Sequence, residues 1–257
     1  MSLRWADYRP PAGSRAPSGS TSPGTVVYAV GDIHGRCDLL EAIQRGIAVD
    51  ARLRPARRRV IVYLGDYISR GGNSRRVVEM VRGHHPDGCE VVTLKGNHED
   101  LLLRYLGGDL GAAKHWFDYD GLDALSDFGV ETVDRQARDD ATVELLRRRF
   151  AAALTPRELE FFRGLRVSHR EGSYHFVHAG VRPGVALDSQ TDHDQMWIRE
   201  RFLNSGDDHG ATVIHGHCIA AEPEIRANRI GIDTGAYRSG VLTCLVLDGA
   251  ERAFLQT

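Results

Sequence analysis

Asp32 and His34 in Gly31-Asp32-Ile33-His34-Gly35, Asp66 in Gly65-Asp66-Tyr67, Asn97 and His98 in Gly96-Asn97-His98-Glu99, His178 in Val177-His178-Ala179-Gly180, and His215 and His217 on either side of Gly216 are the residues whose types suit cation chemistry. Carboxylate, carboxamide and imidazole donors without a thiolate match borderline-hard ions such as Mn²⁺, Fe²⁺ or Zn²⁺. Taken singly, each is ordinary. Aspartate and glycine build turns, asparagine tolerates positive φ, and a strand histidine can be a hydrogen-bonded core residue. Five such segments in one chain are less ordinary. The first three each close a short β-rich apolar run, so their side chains should gather at one sheet edge.

The elements that must position them can be read from periodicity. Val26–Val30, Val60–Leu64 and Val91–Leu94 are continuous, apolar and largely β-branched, the pattern of buried strands. Leu39, Leu40 and Ile43, then Val77, Val78 and Val81, recur at the three-and-four spacing of amphipathic helices. The order β-α-β-α-β implies parallel strands with right-handed crossovers. Chemistry in such sheets collects beyond the strands' carboxyl ends, where Asp32, His34, Asp66, Asn97 and His98 all fall. Residues 101–165 read as a helical cap beside the site: Val143, Leu146, Phe150 and Leu154 keep helix spacing, and Thr155-Pro156-Arg157-Glu158 has the form of a capping box with proline in the first turn. Trp116, Tyr119 and Phe128 either line a groove there or fill the core. Strand patterns return at Tyr174–Val177, Ala211–Ile214, Arg229–Ile232 and Val241–Leu247. Short turns between several of them predict a second, largely antiparallel sheet packed on the first. The expected fold class is α/β, a two-sheet β-sandwich flanked by α-helices.

Composition narrows the classes. The chain has 257 residues and a formal net charge of −2, enough length for one domain with a sizeable core and no basic field that would point to nucleic acid. Residues 1–24, rich in Pro, Ser and Gly from Pro10 onward, are expected to be a flexible tail, and residues 25–257 a single domain. Cys37, Cys89, Cys218 and Cys244 show no paired spacing, which fits a reducing cytoplasm. No run approaches the roughly 18 apolar residues of a membrane span, and no apolar leader segment follows Arg4 and Trp5.

The ordered blocks G-D-x-H-G, G-D-Y-x-x-R-G, G-N-H-E, V-H-A-G and G-H resemble those of the calcineurin-like metallophosphatases, and more narrowly the bacterial branch of the phosphoprotein phosphatase family, over Val26 to the end of the chain. That resemblance implies the calcineurin-like fold and a metal-dependent hydrolase. Two divalent ions about 3.5–4 Å apart lower the pKa of a bound water, giving a bridging hydroxide nucleophile, and clamp the phosphoryl oxygens. Manganese is the first expectation, with iron and zinc as alternatives. Carried over by motif, Asp32 and His34 go to one metal, Asn97, His178 and His217 to the other, and Asp66 bridges them. His98 adjoins a ligand without being one and becomes the candidate general acid. Arg70 and Arg199, the latter in Trp197-Ile198-Arg199, match phosphate-gripping arginines, a role suited to the planar guanidinium fork. Tyr237 matches a tyrosine near the site in relatives. His215 would share a strand face with His217, but the family places the ligand after the glycine, so His215 is assigned to the surroundings.

Two departures bear on substrate. Gly216-His217-Cys218-Ile219 stands where phosphodiesterase branches carry G-H-x-H, and Ile219 cannot bind a metal, which favours the phosphoprotein phosphatase branch. Ser69 occupies the position where protein phosphatases carry the aspartate that supports the acid histidine, an aspartate that diadenosine tetraphosphatases also lack. The expected activity is therefore hydrolysis of phosphate monoesters, first a serine/threonine protein phosphatase with tyrosine as an extension. Dinucleoside polyphosphate hydrolysis is the alternative, and a catalytically idle metal-binding scaffold is a third reading that the complete ligand set disfavours. The partner is a phosphoprotein or a phosphorylated small molecule, with neither nucleic acid nor membrane.

Overall fold

The structure, a computed structural model, describes residues 3–83, 85–131 and 138–257. In chain order its elements are β1 (Arg4–Ala6), β2 (Thr25–Val30), α1 (Cys37–Leu53), β3 (Arg58–Tyr63), α2 (Ser74–Gly83), β4 (Glu90–Thr93) and α3 (Asn97–Leu106). The helical segment continues with α4 (Leu110–Phe117), α5 (Gly121–Asp127), α6 (Asp140–Ala153) and α7 (Pro156–Gly164). Then come β5 (Ser168–Glu171), β6 (Tyr174–Val177), α8 (Asp192–Trp197), α9 (Glu200–Leu203), β7 (Thr212–His215), β8 (Glu224–Ile225), β9 (Arg229–Gly231), α10 (Ala236–Ser239), β10 (Thr243–Asp248) and β11 (Glu251–Gln256).

Six strands in the order β1-β11-β10-β2-β3-β4 form one sheet and five in the order β5-β6-β7-β9-β8 the other. Alternation along β2 explains the layering. Val26, Tyr28 and Val30 face the helices α1 to α7, whereas Val27 and Ala29 pack with Val60, Val62 and Leu245 against Phe176, Ile214 and Ile230 of the second sheet. Every residue of β2 is buried, as expected of a parallel strand covered on both faces. The outer face of the second sheet, through Val177 and Val213, is covered by Ile198 and Phe202.

Two expectations need correction. The second sheet is not largely antiparallel: β6-β7 and β7-β9 are parallel, and only the outer pairs β5-β6 and β8-β9 are antiparallel. The reason is the long connection from Val177 to Thr212, which carries α8 and α9 across the sheet and allows the parallel return that a hairpin cannot. The last strand pattern, at Thr243–Asp248, belongs to the first sheet, antiparallel to β2.

The N-terminal segment is also more ordered than a tail. Arg4–Ala6 pairs with β11 and covers its edge, while Tyr8 Oη donates to Gln256 Oε1 at 2.9 Å. Farther on, Arg252 Nη2 donates to Pro17 O at 2.7 Å and Tyr174 Oη to Gly19 O at 2.8 Å. A Cβ at Gly19 would stand 2.5 Å from Tyr174 Cε1, so only glycine lets the chain lie this close. Among the described residues no helix is long and apolar enough to cross a membrane.

Candidate metal centre

The parallel strands of both sheets end at one edge, and each delivers a site residue. Asp32 and His34 follow β2, Asp66 follows β3, Asn97 and His98 open α3 after β4, His178 follows β6, His217 follows β7, and Asp233 follows β9. The parallel centre of the second sheet is what turns His178 and His217 toward Asp66 and Asn97 of the first.

Asp66 is the hub. Its Oδ2 lies 3.3 Å from His34 Nε2, 3.5 Å from His178 Nε2 and 4.0 Å from His98 Nε2. Two groups, His34-Asp66-His98 and Asp66-His178-His217, each bring their ligand atoms within 4.8 Å of one another. Asn97 Oδ1 is 2.9 Å from His178 Nε2 and 3.0 Å from His217 Nδ1. Backbone carbonyls orient two imidazoles, with Ile68 O on His34 Nδ1 at 2.9 Å and Leu64 O on His178 Nδ1 at 3.0 Å, which turns both Nε2 atoms toward Asp66. This is how outer partners set the tautomer of a metal-binding histidine.

Does this cluster fit cations? Asp32 Oδ1 and His217 Nε2 are buried without a hydrogen-bond partner among the described residues. A Cβ at Gly216 would overlap Asp32 Oδ1, and one at Gly96 would overlap Asp66 Oδ1, so both glycines leave room at carboxylate oxygens. Burial, then Asp233 and Asp66, push Asp32 well above the usual carboxylate range, and burial raises Asp66 to about 7. Burial likewise drives His34 and His217 well below the ordinary imidazole value and His178 to about 4. Imidazoles held neutral are in the protonation state that cation binding requires, and crowded carboxylates whose ionisation burial disfavours are the groups a cation would stabilise in their charged form. The residues fit.

Around this centre, Arg70 Nη1 sits 3.1 Å from His34 Nε2 and Nη2 3.4 Å from His98 Nε2. Its Cζ lies 4.6 Å over the ring of Tyr237, which packs edge-on to His34 at 5.5 Å. Arg199 is on the other flank, exposed, with Nη1 4.0 Å from Cys218 Sγ beside His217. His215 and His217 do not share a face: β7 stops at His215, and His217 has φ 64°. The His215 ring instead packs on Phe202 at 5.1 Å. Of the three aromatics, Trp116 and Phe128 are core, and Tyr119 is 40% exposed. Tyr119 continues into a strip of rings: His115 lies 5.0 Å from Tyr119 and 5.8 Å from Trp197, and Trp197 stacks on His193 at 6.1 Å.

Sequence reasoning passed over three features. Backbone strain is concentrated here. Among the described residues the non-glycine positions with positive φ are His34, Asp66, Ser69, Arg70 and His217, together with Asp120, whose carboxylate is 3.8 Å from Arg70. Such strain is typical of functional sites. Asp233 is a second: 5% exposed, its Oδ1 accepts from Gly235 N at 2.9 Å. Asp233 closes the strand-like run Arg229–Ile232 as Asp32 and Asp66 close theirs, though Ile232 separates it from Gly231, and that position could have flagged it. Glu99 is the third. Its carboxylate accepts from the backbone N–H groups of Asp66 and Tyr67 at 2.9 Å and of Gly96 at 3.0 Å, so it ties the β3 loop to the start of α3. Glu99→Ala would orphan these buried donors, and an unfolding free-energy loss of about 3–5 kcal/mol is expected from urea denaturation. A loss under about 1 kcal/mol would remove Glu99 from this role.

An Asp-centred, histidine-rich cluster at the shared edge of two sandwiched sheets is an arrangement suited to a metal-dependent hydrolase. The chain belongs to the calcineurin-like phosphoesterase family, whose profile matches residues 25–233. It is 32% identical over 181 residues to the symmetrical bis(5'-nucleosyl)-tetraphosphatase of Methylococcus capsulatus (strain Bath), covering 70% of this chain and 51% of the relative. It is 30% identical over 228 residues to serine/threonine-protein phosphatase 2 of Salmonella typhimurium, covering 84% of this chain and 90% of that enzyme. The chain thus spans about half the length of the tetraphosphatase it matches. Among solved structures, a protein provisionally described as a diadenosine tetraphosphatase superposes with a TM-score of 0.61 at 20% identity, over 93% of this chain and 98% of that one. A cold-active protein tyrosine phosphatase gives 0.54 at 17% identity, over 91% and 80%. At these identities the likeness concerns the fold.

Proposed function

We propose that this chain hydrolyses phosphate monoesters with two divalent ions, manganese first, and favours substrates whose leaving group needs little help from an acid. The observation that carries the preference is Ser69 Oγ, a neutral hydroxyl, 3.0 Å from His98 Nδ1 where a carboxylate would support an imidazolium. Asp32, His34, Asp66, Asn97, His178 and His217 are the residues that would hold the ions. When bound, these supply the activated water and neutralise the phosphoryl charge. The chain's own groups do the rest. Arg70 and Arg199, on opposite flanks, grip phosphoryl oxygens, and His98 Nε2, facing the centre, assists departure of the leaving oxygen.

An alkoxide such as serine's needs a proton badly, a tyrosine phenolate with pKa about 10 needs it less, and a nucleotide phosphate with a second pKa near 6 hardly at all. Phosphotyrosine, other aryl phosphates and dinucleoside polyphosphates are therefore placed ahead of phosphoserine. The exposed rings of Tyr119, His115 and His193, with half-buried Trp197 two residues from Arg199, support an aromatic group on the substrate. They keep dinucleoside polyphosphate hydrolysis as the second reading.

The test is kcat/KM with Mn²⁺ for phosphoserine and phosphotyrosine peptides, an aryl phosphate and diadenosine tetraphosphate, in the native chain and in Ser69→Asp. Burial, first of all, holds His98 well below the ordinary imidazole value. A carboxylate at position 69 stabilises the imidazolium and raises that value, so the alkaline limb of the pH profile moves up. The gap between good and poor leaving groups should narrow by roughly tenfold, the rate equivalent of about one pKa unit. Equal leaving-group sensitivity and superimposable profiles in both proteins would mean that Ser69 carries no substrate information.

A further inference from the structure

We propose that Trp116 is a positioning residue that acts through Ser69 to keep the proton of neutral His98 on Nε2, making this histidine a hydrogen-bond donor toward the centre and not a metal ligand. The proposal rests on the reading of the site given above, because His98 belongs by geometry to one of the two ligand groups and its role turns on which nitrogen carries the proton.

The three side chains form a closed contact. Ser69 Oγ is 3.0 Å from His98 Nδ1, Trp116 Nε1 is 3.3 Å from Ser69 Oγ, and Trp116 Nε1 is 3.4 Å from His98 Nδ1. All are buried, Trp116 and Ser69 completely. An indole N–H can only donate, a hydroxyl has one proton and two lone pairs, and a neutral imidazole donates from one nitrogen and accepts at the other. With the indole proton pointing at both Ser69 Oγ and Nδ1, the serine proton needs an acceptor. Among the described residues Nδ1 is the acceptor in contact with Ser69 Oγ. If Nδ1 carried the ring proton instead, it would confront the indole N–H, and the serine proton would be left unmatched in a dry pocket, which costs about 1–3 kcal/mol for a buried polar group. The proton therefore belongs on Nε2.

Two groups face Nε2 from the other side. Asp66 Oδ2 at 4.0 Å is an acceptor and suits an N–H there. Arg70 Nη2 at 3.4 Å is a donor and does not. The two sides differ in freedom. Arg70 has alternative partners in His34 Nε2 at 3.1 Å, the Tyr237 ring and the Asp120 carboxylate, and its side chain is 18% exposed. Trp116 cannot turn away, because its ring is wedged between Tyr105 and Phe150, and a Cβ at Gly121 would stand 2.6 Å from its Cδ2. The immobile side sets the tautomer. An Nε2 that carries a proton has no lone pair for a cation, and the same proton can be shared with a leaving oxygen. The cap helices thereby acquire a role in the chemistry, since α4 supplies Trp116.

Trp116→Phe removes the N–H and part of the indole's volume while keeping an aromatic ring in the pocket. The measurement is the long-range ¹H–¹⁵N spectrum of the full-length chain loaded with Mg²⁺ near pH 8, with the His98 signals assigned by their loss in His98→Asn. The native protein should show His98 Nε2 protonated and Nδ1 bare, and Trp116→Phe should move both shifts toward their average as the tautomers mix. With an aryl phosphate and Mn²⁺, kcat should fall about tenfold while KM stays within about twofold, the split expected of a group acting on the transition state alone. A native spectrum with the proton on Nδ1, or one unchanged in Trp116→Phe, overturns the proposal. If Trp116→Phe fails to fold, Trp116→Met, which also removes the indole N–H, is the second variant and must produce the same mixing. The spectrum reads the tautomer without turnover, so a mistaken substrate assignment leaves it standing, whereas a correct spectrum in a chain that hydrolyses no phosphate ester refutes the functional reading alone.

Discussion

Asp66→Asn should strip the centre of both cations and lower kcat by roughly 10³-fold or more. The effect is large because one oxygen, Oδ2, lies within 3.5 Å of an imidazole from each sheet, His34 and His178. A bridging carboxylate offsets the repulsion between two dications, and a neutral amide of the same size cannot. Losing several kcal/mol of charge stabilisation at the reacting phosphoryl group converts to three or more powers of ten in rate. The metal-free protein adds a pH signature. Because burial raises Asp66 to about 7 and raises Asp32 as well, cation uptake at low pH must displace their protons, so affinity should climb as pH rises toward and through 7. Full metal content at near-normal rate in Asp66→Asn, by elemental analysis and steady-state kinetics, would sink the bridging role.

His98→Asn should separate chemistry from metal binding. Asparagine preserves a hydrogen-bonding group but cannot relay a proton, so kcat is expected to fall by roughly 10²–10⁴-fold, the usual range for an acid–base group, while metal content stays at the native level. The outcome decides between the two things the geometry permits, since His98 Nε2 is 4.0 Å from Asp66 Oδ2 and close enough to join the His34-Asp66 group. Loss of a metal equivalent in this variant would show that an acid had been confused with a ligand.

Much of this was legible because local chemistry and global fold agree. The β-branched runs of β2 and β3 were readable as strands since they are buried on both faces, and the start of α7 was readable because Thr155 and Glu158 close a capping box around Pro156. The site residues stood out because each ends a strand at a glycine-bounded turn. What was not legible depends on partners distant in sequence. The parallel course of β6, β7 and β9 is set by a long connection whose helices, α8 and α9, are too short to show a clear period. The N-terminal segment reads as a tail because its Pro, Ser and Gly content is that of a linker, yet β11 offers an open edge and Gly19 permits close passage over Tyr174. Glu99 and Trp116 act through contacts 33 and 47 residues away, on Asp66 and Ser69, and no spacing rule connects such pairs.

The central claim is that this edge of the sandwich holds two cations and works only with both. Titrating metal-free protein with Mn²⁺, while following bound metal per chain and hydrolysis of an aryl phosphate together, tests it most directly. Two equivalents bound per chain, with the rate rising as the second site fills and collapsing on chelation, is the predicted result. Saturation at one equivalent or none, or a rate that chelation leaves unchanged, would contradict it.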